Sequence, residues 1–337
     1  MVAMSGGIDS AVAAARLVRQ GWPVVGVTMD LGLDQRAALH RAAAVCRRLG
    51  IEHYVVDLRE RFRQRVIDYF CAEYATGRTP NPCVRCNQLI KWDALLEVAT
   101  AAGCYYLATG HYARKAWRDG RYRLLRGADR NRDQSYVLYQ LSQRQLSRAL
   151  FPLGNSTRDE VQWWARIIGL VPSSVPSSRD ICFISSDYRD FLRERMEFTP
   201  GPIRTADGEE VGRHNGLPNY TIGQRRGLGL GGELLYVIGK NIAENALIVG
   251  PQEALARREC DLEQVNWVSV ASPRIGKELP VAVELRYRAR LIPATVRLIS
   301  STTARLMLTT HDQAVTPGQS AVFYRGDLLL GGGIIAG

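Results

Sequence analysis

The sequence predicts an α/β protein in three parts: an N-terminal parallel sheet with helices on both faces (1–195), a small mostly-β central domain (196–255) and a C-terminal β-barrel (256–337). Three observations carry this. Over 1–110, short apolar runs alternate with helical patterns, the βα alternation of a parallel sheet. From residue 200 the texture changes to Gly-rich turns between short strands. Beyond 256, apolar and polar residues alternate along 281–287, 294–299, 304–309 and 320–324, the period-two pattern of a small barrel or sandwich.

In chain order, Met1 to Met4 is the stub of a first strand, either a short strand or the result of a late start. A Ser–Gly–Gly loop follows, then an amphipathic helix over 11–19. The run 24–29 reads as a buried strand, 35–49 as a helix stopped by Gly50, and 53–58 as a second strand. A helix over 89–102 ends at Gly103, and 105–109 is a further strand. Ligands on such sheets bind beyond the carboxyl ends of the strands, where residues 5–10, 29–30 and 109–111 all fall. Thr157 and Glu160 fit a capping box, with Val161, Trp164, Ala165 and Ile168 as the apolar face behind it. The Ser- and Pro-rich stretch 171–180 reads as a loop, and Gly227 to Gly232 as either a flexible lid or a Gly-rich hairpin turn.

The bulk composition agrees with this division. A chain of 337 residues, at roughly 150 per domain, has room for two or three domains. It is 46% apolar and 23% charged, as soluble globular proteins are. No apolar run is long enough to span a bilayer, and the start lacks the basic-then-apolar pattern of a secretion signal, so a cytoplasmic protein with no membrane partner is expected. The net charge is +11, and positions 1–195 hold most of the excess, with 29 basic against 19 acidic residues. Eight Arg and Lys residues lie between Arg114 and Arg132, a segment suited to a polyanion or to a solvated basic face. Seven cysteines, an odd number, argue against a disulfide framework. Cys46 and Cys104 sit in apolar stretches and read as small buried hydrophobes.

Two features carry chemistry. In Ser5-Gly6-Gly7-Ile8-Asp9-Ser10 the glycines let the backbone turn its N–H groups toward an anion, and the helix behind adds the positive end of its dipole. Ser5 and Ser10 supply hydroxyls, and Asp9 can help hold Mg²⁺ with the phosphates. There is no Gly-Lys-Ser/Thr, so this is not a Walker A loop. The second feature is a set of placed cysteines. Thr79 to Asn87 precedes a helix and contains Cys83 and Cys86 beside Arg85 and Lys91, which should bias a thiol toward thiolate. Cys182 stands where a loop meets the apolar run 181–184. Structural zinc would need a further Cys or His pair at ligand spacing, and none is evident. A [4Fe-4S] cluster held by Cys83, Cys86 and Cys182 with one open iron is the alternative use of the three thiols.

The six-residue loop resembles that of the PP-loop ATP pyrophosphatases, which share an adenine nucleotide α-hydrolase-like fold and leave AMP on a substrate oxygen. Together with Gly77 to Pro82, Cys86-Asn87, Ala108 to Tyr112, Asp133 to Tyr136, Ile181 to Ile184, Gly223 to Arg225 and Thr316 to Tyr324, it resembles the tRNA 2-thiouridylase family from end to end. The resemblance implies ATP-dependent adenylation of O2 of a wobble uridine in the tRNA anticodon arm. A persulfide on Cys182, supplied by a cysteine desulfurase or sulfur-carrier protein, would then give 2-thiouridine, AMP and pyrophosphate. Cys86 would complete the transfer, and the two cysteines can form a disulfide in the cycle. Ala3, Met4, Ser5, Gly6, Gly7, Ile8, Asp9, Ser10, Met29 and Gly110 would contact ATP. Asn81, Pro82 and Cys83 would face the target base, and His111, Arg132, Asp133, Gln134, Arg286, Tyr287 and Gln319 would touch tRNA. A monomer is expected. Some relatives carry an aspartate where this chain has Cys83, which is a poorer base near neutral pH and so a ligand, a relay or a bystander. Two rivals are a GMP synthetase or argininosuccinate synthase, which need no placed cysteines, and an RNA-binding module without catalysis, against which Ser5, Asp9, Cys86 and Cys182 argue.

Overall fold

The computed structural model describes residues 1–169, 181–231, 234–310 and 315–337. The expected loop 171–180 and Gly232 lie outside the described residues.

Alternation in the first 150 residues builds a five-stranded parallel sheet. The elements are β1 (Val2–Ala3), α1 (Ile8–Arg19), β2 (Val25–Asp30), α2 (Arg36–Leu49) and β3 (Glu52–Asp57). Next come α3 (Arg59–Phe62), α4 (Asp68–Ala75), α5 (Pro82–Cys86), α6 (Leu95–Ala101) and β4 (Leu107–Ala108). The hairpin β5 (Ala113–Arg118) and β6 (Arg121–Arg126) precedes α7 (Gln143–Arg148), β7 (Ala149–Leu150), α8 (Arg158–Ile167) and α9 (Tyr188–Arg193). The sheet order is β3-β2-β1-β4-β7. The stub strand is two residues long, yet it is the centre of the sheet: Val2 pairs with Gly26 on one side and Ala108 on the other. Gly50 ends α2 with a left-handed φ of 66°, as its sequence position predicts. The Thr157–Glu160 capping box is present in both directions.

Two expectations change. The strand expected over 105–109 shortens to Leu107–Ala108. The helix expected over 89–102 begins seven residues earlier, at Pro82, and runs through a π-helical stretch (Asn87–Ala94) into α6. Asn81 explains the early start: its side-chain oxygen accepts the N–H groups of Cys83 and Val84, and Pro82 takes the first helical position, where no N–H is needed. Cys83 and Cys86 therefore lie inside a helix rather than ahead of one.

The central segment contributes β8 (Gly201–Thr205), β9 (Glu210–His214), β10 (Tyr236–Asn241) and β11 (Ala246–Gly250), ordered β10-β11-β8-β9. Leu228 is buried with Ile203, Leu217, Val237 and Val249, so the described part of the 227–232 stretch is anchored in this core. The C-terminal strands are β12 (Glu259–Asn266), β13 (Glu278–Glu284), β14 (Ile292–Leu298), β15 (Ala304–Leu308), β16 (Ser320–Arg325) and β17 (Leu328–Ile335). They close on themselves through the β12–β17 pairing. The hairpin β5–β6 extends this sheet, β6 pairing with β17. One apolar core accordingly holds Trp92, Leu95 and Tyr136 together with Val322, Tyr324 and Leu329.

The basic segment 114–132 has a structural use. Arg114 and Arg130 both pair with Asp327, Arg126 with Asp133, and Lys115 donates to the carbonyls of Leu146 and Ala149. These charges fasten the hairpin to the barrel and to α7. No helix among the described residues is long and apolar enough to cross a membrane.

Candidate active site

The loop between β1 and α1 is knotted by its serines. Ser5 N–H donates to Ser10 Oγ at 3.1 Å, Ser10 Oγ donates to the Gly7 carbonyl at 3.0 Å, and the two hydroxyl oxygens are 3.1 Å apart. Gly6 has φ +70°, and a Cβ there would stand 2.3 Å from the Ala38 carbonyl oxygen. Only glycine fits both the torsion and the space. Gly7 is the N-cap of α1 and no side chain caps the N–H groups of the helix's first turn, so these are left for an anion. Around this loop Ala3 pairs with Val27, Met4 N–H bonds the Val27 carbonyl at 2.7 Å, and Ile8 packs against the core beneath α1. The Met29 carbonyl accepts from Gln35 at 3.2 Å. Gly110 touches the loop from β4: a Cβ on it would lie 2.8 Å from Asp9 C and 2.9 Å from Ser10 N.

Asp9 is held from two sides. Tyr112 Oη donates to its Oδ1 at 2.9 Å, and the Arg158 guanidinium pairs with the same oxygen. One carboxylate beside two hydroxyls is a hard-oxygen set of the kind that holds Mg²⁺ jointly with nucleotide phosphates.

The cysteines come together from distant parts of the chain. Phe183 packs edge-on against Phe62 and Phe70, with ring centroids 5.8 and 5.3 Å apart, which pins 181–184 beside the helix carrying Cys86. Cys86 is 8% exposed, and burial pushes its thiol up to about 12. Lys91 opposes this, while Cys182 and Cys83 add to it, so each of those two thiols lies within electrostatic reach of Cys86. Cys182 is reachable from solvent as a residue, yet the atoms crowding its sulfur raise its thiol too, again against the pull of Lys91. The expected bias toward thiolate is therefore reversed: desolvation outweighs the neighbouring cation. Arg85 gives no help, because its guanidinium stacks over the Tyr69 ring at 4.7 Å. None of the seven cysteines is in a disulfide. Among the described residues no group of three or more Cys, His, Asp or Glu is placed to hold a metal ion, so Cys83, Cys86 and Cys182 as placed do not fit a cluster site.

The remaining expected residues divide between cap, core and seam. Asn81 caps α5, Pro82 is buried at its start, and the Cys83 carbonyl accepts from Asn87 Nδ2 at 2.9 Å. His111 is buried, with Nδ1 2.7 Å from Thr109 Oγ1, and burial, then Lys91, holds its pKa well below the ordinary value, so the ring is neutral. Asp133 is buried and accepts from Arg126 and from the N–H groups of Gly127 and Ser135. Gln134 exchanges hydrogen bonds with the Tyr112 backbone at 3.0 Å in each direction. Arg132 is half-buried on the turn that leads into Asp133. Tyr287 Oη donates to the Asp133 carbonyl at 3.4 Å, and Arg286 reaches Thr316 Oγ1 at 3.4 Å. Gln319 is buried and donates to the Thr79 carbonyl at 2.7 Å. Arg132 to Gln134 and Tyr287 thus share one seam between hairpin and barrel, while Gln319 clamps the strap leading into α5.

Sequence reasoning missed Arg158, Tyr112 and Arg78 as site-shaping groups. Arg158 reads from the sequence only as the first residue of a helix. Arg78 joins Glu73 to Glu263 of the barrel, a contact spanning 185 residues that no local pattern reveals.

A parallel-sheet domain whose first strand-to-helix turn is a serine–glycine anion cradle, capped by two β domains, defines a HUP-type nucleotide-binding enzyme. Family comparison agrees: residues 1–186 match the tRNA methyl transferase HUP domain, 189–251 the tRNA methyl transferase PRC-barrel domain, and 257–335 the aminomethyltransferase beta-barrel domain. The chain is 44% identical to the tRNA-specific 2-thiouridylase MnmA of Pelotomaculum thermopropionicum, over 99% of this chain and 96% of that one. It is 47% identical to MnmA of Chloroflexus aurantiacus and 45% identical to that of a Roseiflexus species, each over 100% of this chain and 98% of the relative. The chain belongs to the MnmA family of tRNA-specific 2-thiouridylases.

Proposed function

We propose that this protein thiolates a wobble uridine of tRNA in the cytoplasm, at the expense of ATP. The phosphate chain of ATP sits on the N–H groups of α1 and the hydroxyls of Ser5 and Ser10. Asp9 would help hold Mg²⁺, which supplies neutralising charge on the phosphates. O2 of the uridine attacks the α-phosphate, and the bond to the β-phosphate breaks, releasing pyrophosphate. The terminal sulfur of a Cys182 persulfide, charged by a cysteine desulfurase or carrier, then attacks C2 and expels AMP. Attack of the Cys86 thiolate on the Cys182 sulfur frees the 2-thiouridine and leaves a Cys86–Cys182 disulfide, which a thiol reductant reopens. Asn81, Pro82 and Cys83 would border the flipped base, and the seam of Arg132 to Gln134, Arg286, Tyr287 and Gln319 would lie along the anticodon arm. Residues 1–195 carry the chemistry, and 196–255 and 256–337 frame the substrate.

What carries this reading is the convergence of Cys86 and Cys182, ninety-six positions apart in sequence, within electrostatic reach of one another in the domain whose loop is built for an anion. An enzyme that only transferred nucleotide to ammonia or an amino acid would have no use for them. Thiolation of unmodified tRNA should fall to background in both Cys86→Ser and Cys182→Ser. Wild-type thiolation in either variant contradicts the reading. Cys83→Ala should keep at least partial activity if the Cys86–Cys182 pair suffices.

A further inference from the structure

Arg158 is anchored by its backbone beside the first turn of α1. Thr157 caps its helix, and its own N–H donates to Asp129 Oδ2 at 2.9 Å. The body of α8 packs on α1 through Val161 and Ala165 against Val12 and Ala13. The side chain is 19% exposed, and its guanidinium reaches Asp9, the second residue after the paired glycines. Its Nε is buried and has no hydrogen-bond partner. Thus a cation on an anchored backbone, with an unspent donor, stands beside an anion cradle, paired with a single carboxylate that Tyr112 also binds.

We propose that Arg158 is the cation of the pyrophosphate subsite: it pairs with Asp9 in the arrangement seen here and passes to the β- and γ-phosphates of ATP, where it neutralises the charge gathering on the departing pyrophosphate. This rests on the adenylation reading above. The exchange is favoured because the terminal phosphates carry more charge than one carboxylate and match the planar fork of a guanidinium. The gain is largest as the α–β bond breaks, when the pyrophosphate takes up the bonding electrons. No covalent bond to Arg158 forms or breaks.

Calorimetric titration of the full-length enzyme with Mg-pyrophosphate and, separately, with AMP tests the assignment without turnover. Arg158→Gln should weaken pyrophosphate binding by about tenfold to a hundredfold, the worth of a charge-assisted contact, and leave AMP binding within about twofold. Arg158→Lys, which keeps the charge on Asp9 but loses the fork, should weaken pyrophosphate selectively and by less. The double variant Asp9→Asn/Arg158→Gln separates direct contact from simple repulsion by an unmasked Asp9: pyrophosphate binding should stay weak. Wild-type pyrophosphate affinity in either single variant, equal weakening of AMP and pyrophosphate, or full recovery in the double variant overturns the proposal. Failure of the wild-type enzyme to release pyrophosphate from ATP with tRNA would instead overturn the thiolation reading and leave the binding result standing.

Discussion

At the scale of single residues, the chemistry is governed by desolvation. Cys86 and Cys182 both have thiols raised by burial, and Lys91 is the cation that opposes this at each. Both are therefore protonated near neutral pH, and the thiol-dependent step should speed up with pH, approaching tenfold per unit between about pH 7 and about pH 9. Lys91→Met removes the opposing charge, raises both thiols further and should slow single-turnover sulfur transfer at any fixed pH in that range. A flat pH profile would show that thiol ionisation does not limit the step. Glu284 gives a second titration at the seam. Burial raises its carboxyl to about 7, against hydrogen bonding from the Arg288 N–H and the charge of Arg126. The folded protein thus holds a proton that the unfolded chain gives up near its ordinary carboxyl pKa. The associated stability is fully present below about pH 4 and lost as pH rises through about 7. Glu284→Gln escapes that loss, and urea unfolding should show it more stable than the parent at about pH 8, by up to about 3 kcal/mol, with little difference at about pH 4.

At the scale of elements, two turns place the groups proposed to react. The glycine loop tolerates no side chain at Gly6, and Gly110 presses on it from the neighbouring strand. Gly110→Ala should displace Asp9 and Ser10 and weaken ATP binding by about tenfold or more, while a thermal melt shifts little. Unchanged ATP affinity would mean that the two elements do not touch in this way. Asn81 is the other device, since it starts the helix that carries Cys86. Asn81→Ala should cost about 1 kcal/mol of stability and a larger share of thiolation, because the helix start sets the position of Cys86. The loop, β2, α2, β3 and the Thr157 box were legible in the sequence, because each is written in neighbouring residues: glycines, period, cap. The start of the Cys86 helix was not. Two prolines and an asparagine read equally well as a rigid approach, and only the bond from Asn81 to Cys83 and Val84 decides for a helix. The reversed thiol ionisation was hidden for a related reason. Arg85 and Lys91 are visible in sequence, but burial, and the turn of Arg85 onto Tyr69, are tertiary facts.

At the scale of the whole molecule, the three parts meet at one strap. Ile242 and Lys240 of the central segment lie against Gly77, where an added Cβ would be 2.5 Å from Ile242 Cδ1. Arg78 pairs with Glu263 of the barrel, and Thr79 is bonded through its N–H to the Pro317 carbonyl at 2.8 Å and through its carbonyl to Gln319. Three residues later the chain enters the helix with Cys83 and Cys86. The β domains therefore hold the strap that leads into the helix with Cys83 and Cys86. The hairpin β5–β6, which belongs to the first part of the chain and completes the sheet of the last, ties them further. This interlocking had no trace in the sequence pattern, since the basic residues of 114–132 read as either a polyanion surface or a solvated basic face, whereas Arg114, Lys115 and Arg130 pin the hairpin.

The central claim is that uridine O2 is activated as an adenylate before sulfur arrives. The most direct test uses tRNA carrying a heavy-oxygen label at O2 of the wobble uridine, turned over once with ATP and persulfide-charged enzyme. If the account is right, the label leaves on the phosphate of AMP, one per 2-thiouridine formed. Unlabelled AMP, or label released into water while thiolation proceeds, contradicts it.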